Sequence, residues 1–160
     1  MRAVVIVAST RAATGVYTDT SGPILVSGLA DLGFDVGDPV VVADGPDVAE
    51  ALRRAVDDRV DVVLTSGGTG VTSTDRTPEA TAELIDRPIP GIAETIRAYG
   101  AIHTPMAAIS RGLAGIARRT LIVNLAGSTG AARDGLAVLS PIIVHTIQQL
   151  HDGDHEREDA

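Results

Sequence analysis

Three apolar runs limit what this chain can fold into more than any other feature of its sequence. Residues 3–8 (AVVIVA), 60–64 (VDVVL) and Thr120–Leu125 (TLIVNL) are largely β-branched and carry no regular polar face. A strand with one face in water alternates apolar and polar residues; a strand covered on both faces does not. The runs therefore read as strands of a mainly parallel sheet with helices on both sides. A shorter run over residues 40–43 follows Pro39 and reads as a further strand, since proline is tolerated at a strand's edge.

The intervening segments read as helices. Residues 24–32 are mostly apolar, with Pro23 suited to a first helical turn and Gly33 to a C-cap. Asp47 is expected to cap a helix whose apolar positions are Val48, Ala51, Leu52, Ala55 and Val56, the i, i+3, i+4, i+7, i+8 stripe of an amphipathic helix. Thr77 is expected as the N-cap of a helix opened by Pro78, with Glu79 near its positive end. Residues 88–91 read as a turn, 92–99 as helix and 107–109 as a short strand before Ser110 and Arg111. Leu136, Leu139, Ile143, Ile147 and Leu150 line one face of a C-terminal helix that Pro141 should kink or restart. The expected fold is an α/β domain of three layers, α/β/α, over residues 1–150, with residues 151–160 as a polar, frayed tail.

In a parallel sheet of this kind ligands sit beyond the carboxyl ends of the strands. Three such ends carry polar residues: Ser9-Thr10-Arg11, Thr65-Ser66-Gly67-Gly68-Thr69-Gly70, and Asn124 through Ser128. Composition narrows what they can hold. All 13 basic residues are arginine, against 21 acidic residues and a net charge of −8. With no lysine and no cysteine, Schiff bases, a phosphate-loop lysine, thiolate metal sites and disulfides are excluded. An acidic surface disfavours nucleic acid, and only Tyr17, Phe34 and Tyr99 could offer stacking faces. No apolar run is long enough for a membrane span, and Arg2 precedes no cleavage pattern, so a cytoplasmic protein is expected.

The glycine loop is the most informative of the three ends. Gly67, Gly68 and Gly70 allow positive φ and close approach of the backbone, and successive N–H groups in such a turn cradle an anion. The alternative is a tight strand-to-helix turn without a ligand. Asp75, five residues on, is either a turn residue or a carboxylate that holds magnesium against phosphate oxygens, and Asp44 after the second strand poses the same choice. His103 and His145 read as structural residues. His151 and His155, with Asp152 and Asp154 between them, could gather a metal adventitiously or lie in the tail.

Residues 65–81 (TSGGTGVTSTDRTPEAT) resemble the signature of the molybdopterin-binding domain, found in Mog and MoaB proteins, gephyrin-like fusions and MoeA. Ser9-Thr10-Arg11 through Tyr17 and Asp19, Ile89-Pro90-Gly91 with Glu94, Ser110-Arg111 and residues 119–128 resemble further segments of that family in order. The resemblance implies a Mog-type adenylyltransferase: AMP passes from ATP to the terminal phosphate of molybdopterin, with Mg²⁺ required. It implies a homotrimer that passes its product to a molybdate-insertion partner, with no nucleic acid or membrane involved. A non-catalytic pterin-binding scaffold of the MoaB type is the alternative. By the same resemblance Asp44 and Asp75 are the catalytic and metal-holding carboxylates. Ser9, Thr65, Gly67, Gly68, Thr69, Gly70, Thr77, Ser110, Arg111, Asn124, Gly127 and Ser128 are expected to bind substrate. Arg11 stands either at the triphosphate or in a surface ion pair. The chain departs from the family at Ala126 and Thr129, where Pro-Gly-Ser-Pro is usual, and losing two prolines should loosen that loop.

Overall fold

A computed structural model describes residues 1–151. The chain opens with β1 (Arg2–Ala8), followed by α1 (Thr10–Ala13), α2 (Ser21–Asp31), β2 (Asp35–Val36) and β3 (Val40–Val42). It continues through α3 (Pro46–Asp57), β4 (Val62–Ser66), α4 (Thr77–Ala82), β5 (Arg87–Pro88) and α5 (Pro90–His103). A 3₁₀ segment (Pro105–Ile109), β6 (Ala114–Ala117), β7 (Thr120–Leu125), α6 (Thr129–Leu139) and α7 (Ile143–Leu150) complete it. The sheet runs β2-β1-β4-β7-β6-β5, and β3 pairs with the same edge of β1 farther along the strand. β1 pairs in parallel with β2, β3 and β4, and β4 with β7; β6 is antiparallel to both β5 and β7.

The expected three layers are present, and the unpatterned strands explain them. In β1, Ala3, Val5 and Val7 enter one core while Ile6 and Ala8 enter the other. In β7, Leu121, Val123 and Leu125 face the first core and Ile122 the second. Leu25 and Leu29 of α2, Ile92 of α5, Leu139 of α6 and Ile143 and Ile147 of α7 cover the first face. Val48, Leu52, Ala55 and Val56 of α3, with Ala80 of α4, cover the second. The helical stripe read along residues 48–56 is the buried face of α3. At roughly 1.5–3 kcal/mol per fully buried aliphatic side chain, burial on both faces makes β1, β4 and β7 the most strongly held part of the scaffold.

Several local readings change. α3 starts after Gly45 with Pro46 at its first position, so Asp47 lies in the first turn rather than at the cap. There it still favours the positive helix end. Thr77 is the first residue of α4, and Arg76 occupies the cap position. Residues 107–109 belong to a 3₁₀ helix rather than a strand, because Pro105 starts it and the Thr104 hydroxyl caps it through Met106 N–H. The C-terminal helix is broken next to Pro141 into α6 and α7. His103 Nδ1 lies 3.0 Å from Asp134 Oδ1. His151 Nε2 lies 3.0 Å from Asp61 Oδ1, so this histidine docks on the body of the fold. The rest of the expected tail, with Asp152, Asp154 and His155, lies outside the described residues. Among the described residues no helix is long and apolar enough to cross a membrane.

Candidate active site

β1, β4 and β7 lie side by side and parallel, so their carboxyl ends open on the same side of the sheet. A cavity of about 680 Å³ spans these ends, within the size range of small-molecule sites. Ser9, Arg11 and Asp44 form part of its wall from the β1 and β3 side. Gly67, Gly68, Thr69, Gly70 and Asp75 come from the segment after β4. Gly127 and Ser128 come from the end of β7, and Ser110 from the turn after the 3₁₀ segment.

Two glycines of the loop cannot be replaced in place. Gly67 has φ +98°, and a side chain there would collide with the Ala8 carbonyl. Gly68 has φ +64°, and a side chain would collide with Thr77 Oγ1. Across the site Gly127 closes against the Gly67 backbone. Ser128 Oγ accepts from Ala131 N–H at 3.1 Å and caps the eleven-residue α6. The positive end of α6 is thereby turned to the cavity edge, where an anion is stabilised.

The two carboxylates are held from behind. Asp44 Oδ2 accepts from Thr10 N–H and Thr10 Oγ1, both at 2.9 Å. Asp75 Oδ2 accepts from Thr72 N–H at 2.9 Å and Thr72 Oγ1 at 2.6 Å. These bonds all end on Oδ2, which leaves Oδ1 of each carboxylate for other partners. Among the described residues no three histidine, aspartate or glutamate side chains converge as a preformed metal cage. Two oriented carboxylates without a cage suit Mg²⁺, which keeps water and takes oxygens from substrate phosphates.

Four of the expected site residues do not line this cavity. Asn124 is buried at the wall of an adjoining cavity of about 350 Å³ that shares Ser110 and Ser128 with this one: Nδ2 donates to Thr65 Oγ1 at 3.1 Å and Thr81 Oγ1 at 2.9 Å, and Oδ1 accepts from Leu113 N–H at 3.1 Å. Thr65 is the other half of that pin. Thr77 is 1% exposed under Gly68, and its Oγ1 has no hydrogen-bond partner among the described residues. Arg111 stands behind the loop, with Nε donating to the Gly70 carbonyl at 2.7 Å and its terminal nitrogens reaching Asp75 O and Glu79. The Arg111 hydrogen bond is the main cause holding the Glu79 carboxyl below its usual range, and Glu79 in turn raises Arg111.

The cavity also contains residues that sequence reasoning gave no role. Asp19 Oδ1 accepts from Ser21 N–H at 3.0 Å and Gly22 N–H at 3.1 Å, closing the start of α2. Residues 18–22 read in the sequence as turn and cap residues, and Asp19 is the one that does the capping, but nothing in that pattern placed it at the cavity. Tyr17 stacks on Arg11, whose guanidinium carbon is 5.6 Å from the ring centre. Met106 and Ile109 supply apolar wall from the 3₁₀ segment. Among the described residues lining the cavity, Arg11 is the one arginine, against Asp19, Asp44 and Asp75.

Fold and site together define a class: a three-layer α/β/α domain with a ligand-sized cavity over the strand ends and a lysine-free glycine loop in its floor. The family model described as "Probable molybdopterin binding domain" matches residues 4–145, and the chain belongs to that family. It is 36% identical over 154 residues to the molybdenum cofactor biosynthesis bifunctional protein of Synechococcus elongatus, covering 96% of this chain and 48% of that protein. The chain thus spans about half the length of the first curated relatives. It is 35% identical to the molybdopterin adenylyltransferase of Helicobacter pylori, covering 91% of this chain and 85% of that one. The molybdopterin biosynthesis Mog protein from Mycobacterium ulcerans superposes with a TM-score of 0.89 at 50% identity, over 93% of this chain and 98% of that one.

Proposed function

We propose that this chain serves molybdenum cofactor biosynthesis as a Mg²⁺-dependent molybdopterin adenylyltransferase. A terminal phosphate oxygen of molybdopterin attacks the α-phosphorus of ATP. The bond from that phosphorus to the bridging oxygen of the β-phosphate breaks, and pyrophosphate leaves with the electron pair. The observation that carries this reading is the meeting of two back-bonded carboxylates, Asp44 and Asp75, with the glycine floor in one cavity. The names of relatives that the chain largely covers point the same way.

Each group has a role that follows from its chemistry. The N–H groups of residues 68–70 and the capped end of α6 hold phosphate oxygens, while Gly67 N–H is taken by Leu125 O at 3.0 Å. Ser9, Ser110 and Ser128 add hydroxyl contacts at the cavity wall. Arg11, stacked on Tyr17 at the cavity wall, would meet the triphosphate. Asp44 and Asp75 would hold Mg²⁺, which supplies the charge that offsets crowded phosphates. The charge count supports such a cation, because three carboxylates against one arginine disfavour two polyanions. A phosphate nucleophile is already ionised near neutral pH, so no strong general base is needed.

The test mixes purified protein with molybdopterin, ATP and Mg²⁺ and follows adenylyl-molybdopterin and pyrophosphate. Asp75→Asn should retain pterin binding and lose turnover by on the order of 10²-fold, about 3 kcal/mol of transition-state stabilisation. Pterin binding without product in the unmodified protein would refute the enzyme and favour the scaffold reading. A near-normal rate in Asp75→Asn would remove Asp75 from the metal site.

A further inference from the structure

The segment between β4 and α4, residues 67–76, crosses ten positions without a helix or strand and carries Asp75. Its own bonds are few. Asp75 N–H donates to Thr72 O at 3.2 Å, Thr72 returns two bonds to Asp75 Oδ2, and Thr77 N–H reaches Gly68 O at 3.0 Å. Residues 71–74 are exposed. Gly67 N–H donates to Leu125 O at 3.0 Å and ties the first residue of the excursion to β7, but no bond within it ties the Asp75 backbone to the body of the domain.

One residue from a distant part of the chain supplies that tie. Arg111 N–H donates to the Thr69 carbonyl at 2.9 Å. Its side chain then bonds in three directions: Nε to Gly70 O at 2.7 Å, one terminal nitrogen to Asp75 O at 2.6 Å, and the other to Glu79 Oε1 on α4. A single planar group thus clamps Gly70, the carboxylate-bearing Asp75 and the helix that follows. Glu79 holds the fork in plane. The guanidinium lies outside the residues that line the cavity.

We propose that Arg111 is a positioning residue, which fixes the glycine loop and the backbone of Asp75 in the reactive arrangement without contacting substrate. The proposal rests on the reading of Asp75 given above. It makes a demand that a charge-based role would not: the three acceptors lie in three directions, so the fork matters and the charge alone does not. A lysine ammonium is one atom and cannot reach the Gly70 carbonyl, the Asp75 carbonyl and Glu79 together. An arginine that acted through charge on the triphosphate would be replaced in part by lysine.

The experiment compares Arg111→Lys and Arg111→Ala with Arg118→Ala. Arg118 makes an exposed ion pair with Asp57, 2.9 Å, with neither residue lining the cavity, and controls for loss of a surface bridge. The first readout is hydrogen–deuterium exchange of peptides covering residues 67–77, with β4 and β7 as internal references. Both Arg111 variants should exchange at least tenfold faster over 67–77 and unchanged in the strands, while Arg118→Ala matches the unmodified protein. The second readout is the Mg²⁺ concentration giving half-maximal adenylyl transfer, expected to rise about tenfold and equally in both Arg111 variants. Unchanged exchange, or recovery of turnover and Mg²⁺ requirement by lysine, overturns the proposal. If the unmodified protein makes no adenylyl-molybdopterin, the proposed function fails separately, and exchange still decides whether Arg111 anchors the loop. Should Arg111→Ala not fold, Glu79→Gln, which frees the fork, should show the same loop-confined acceleration; its absence counts against the proposal.

Discussion

Replacing Asn124 by alanine separates a ligand contact from a structural pin. The side chain is 3% exposed and makes three hydrogen bonds, to Thr65, Thr81 and the Leu113 amide. A neutral hydrogen bond contributes about 1 kcal/mol net, so the three together account for about 3 kcal/mol. Alanine also leaves the Leu113 N–H without its acceptor in a part-buried site and opens a small void, which adds about 1 kcal/mol. The expected loss is about 4 kcal/mol. With a urea slope near 2 kcal/mol/M, the unfolding midpoint should fall by about 2 M. The chain has no tryptophan, so helical circular dichroism is the suitable signal. A midpoint shift below about 0.5 M together with weakened pterin or nucleotide binding would refute the reasoning. Asn124 would then act at the ligand and not as a pin.

Two further outcomes are expected. Glu79 is held below its ordinary 4.5 chiefly by the Arg111 hydrogen bond, with its own backbone amide and Arg76 assisting. A depressed carboxyl contributes stability that is fully present above about 4.5 and is lost as pH falls through the lowered value. The difference in urea midpoint between the unmodified protein and Glu79→Gln should therefore be present at pH 6 and shrink below pH 4.5; a difference that grows with acid contradicts this sign. Arg59 follows α3 with φ +55° and an exposed side chain. Arg59→Gly should relieve that conformation for a net gain of about 0.5–1 kcal/mol, raising Tm by roughly 1–4 °C in a thermal melt, whereas an unchanged or lower Tm shows no relief.

The strands that were legible are those with burial on both sides. β1, β4 and β7 announce themselves because a doubly covered strand must be apolar throughout. α3 is legible from its stripe, and the break at Pro141 from the missing N–H. β6 was not, because Ala114-Gly115-Ile116-Ala117 carries little β-branched signal and becomes a strand by pairing with β7. The two-residue β2 and β5 exist only as partners of other strands. Residues 107–109 looked like strand because three apolar residues carry no period, and Pro105 with the Thr104 cap decided for 3₁₀.

The site shows the same division. Glycine and aspartate at strand ends are also ordinary turn residues, so the glycine loop and both carboxylates stood out only through their spacing over residues 65–81 and their place at the strand ends. Asn124 stood out for a different reason. A polar residue in a buried strand needs partners, and the sequence does not reveal that Thr65 and Thr81 are those partners. Arg111 was visible as a motif residue, but its work behind the loop depends on three acceptors brought together by the fold. Asp19 and Tyr17 needed the short α1 turn to bring them to the cavity.

The division of β1 and β7 between two cores has a consequence for how such a chain can vary in length. One residue inserted within either strand would turn Val5 toward the neighbours of Ile6, or Val123 toward those of Ile122, exchanging the contents of the two cores at once. Side-chain direction in a regular strand takes only two values, so an odd insertion must be absorbed in a β-bulge, which costs ladder bonds, or displaced to where alternation stops. Along β4 that boundary is Ser66, one residue before the glycine floor. Gly67 and Gly68 are themselves fixed by the Ala8 carbonyl and Thr77 Oγ1, so the exposed residues 71–74 are the first place beyond β4 where length can change.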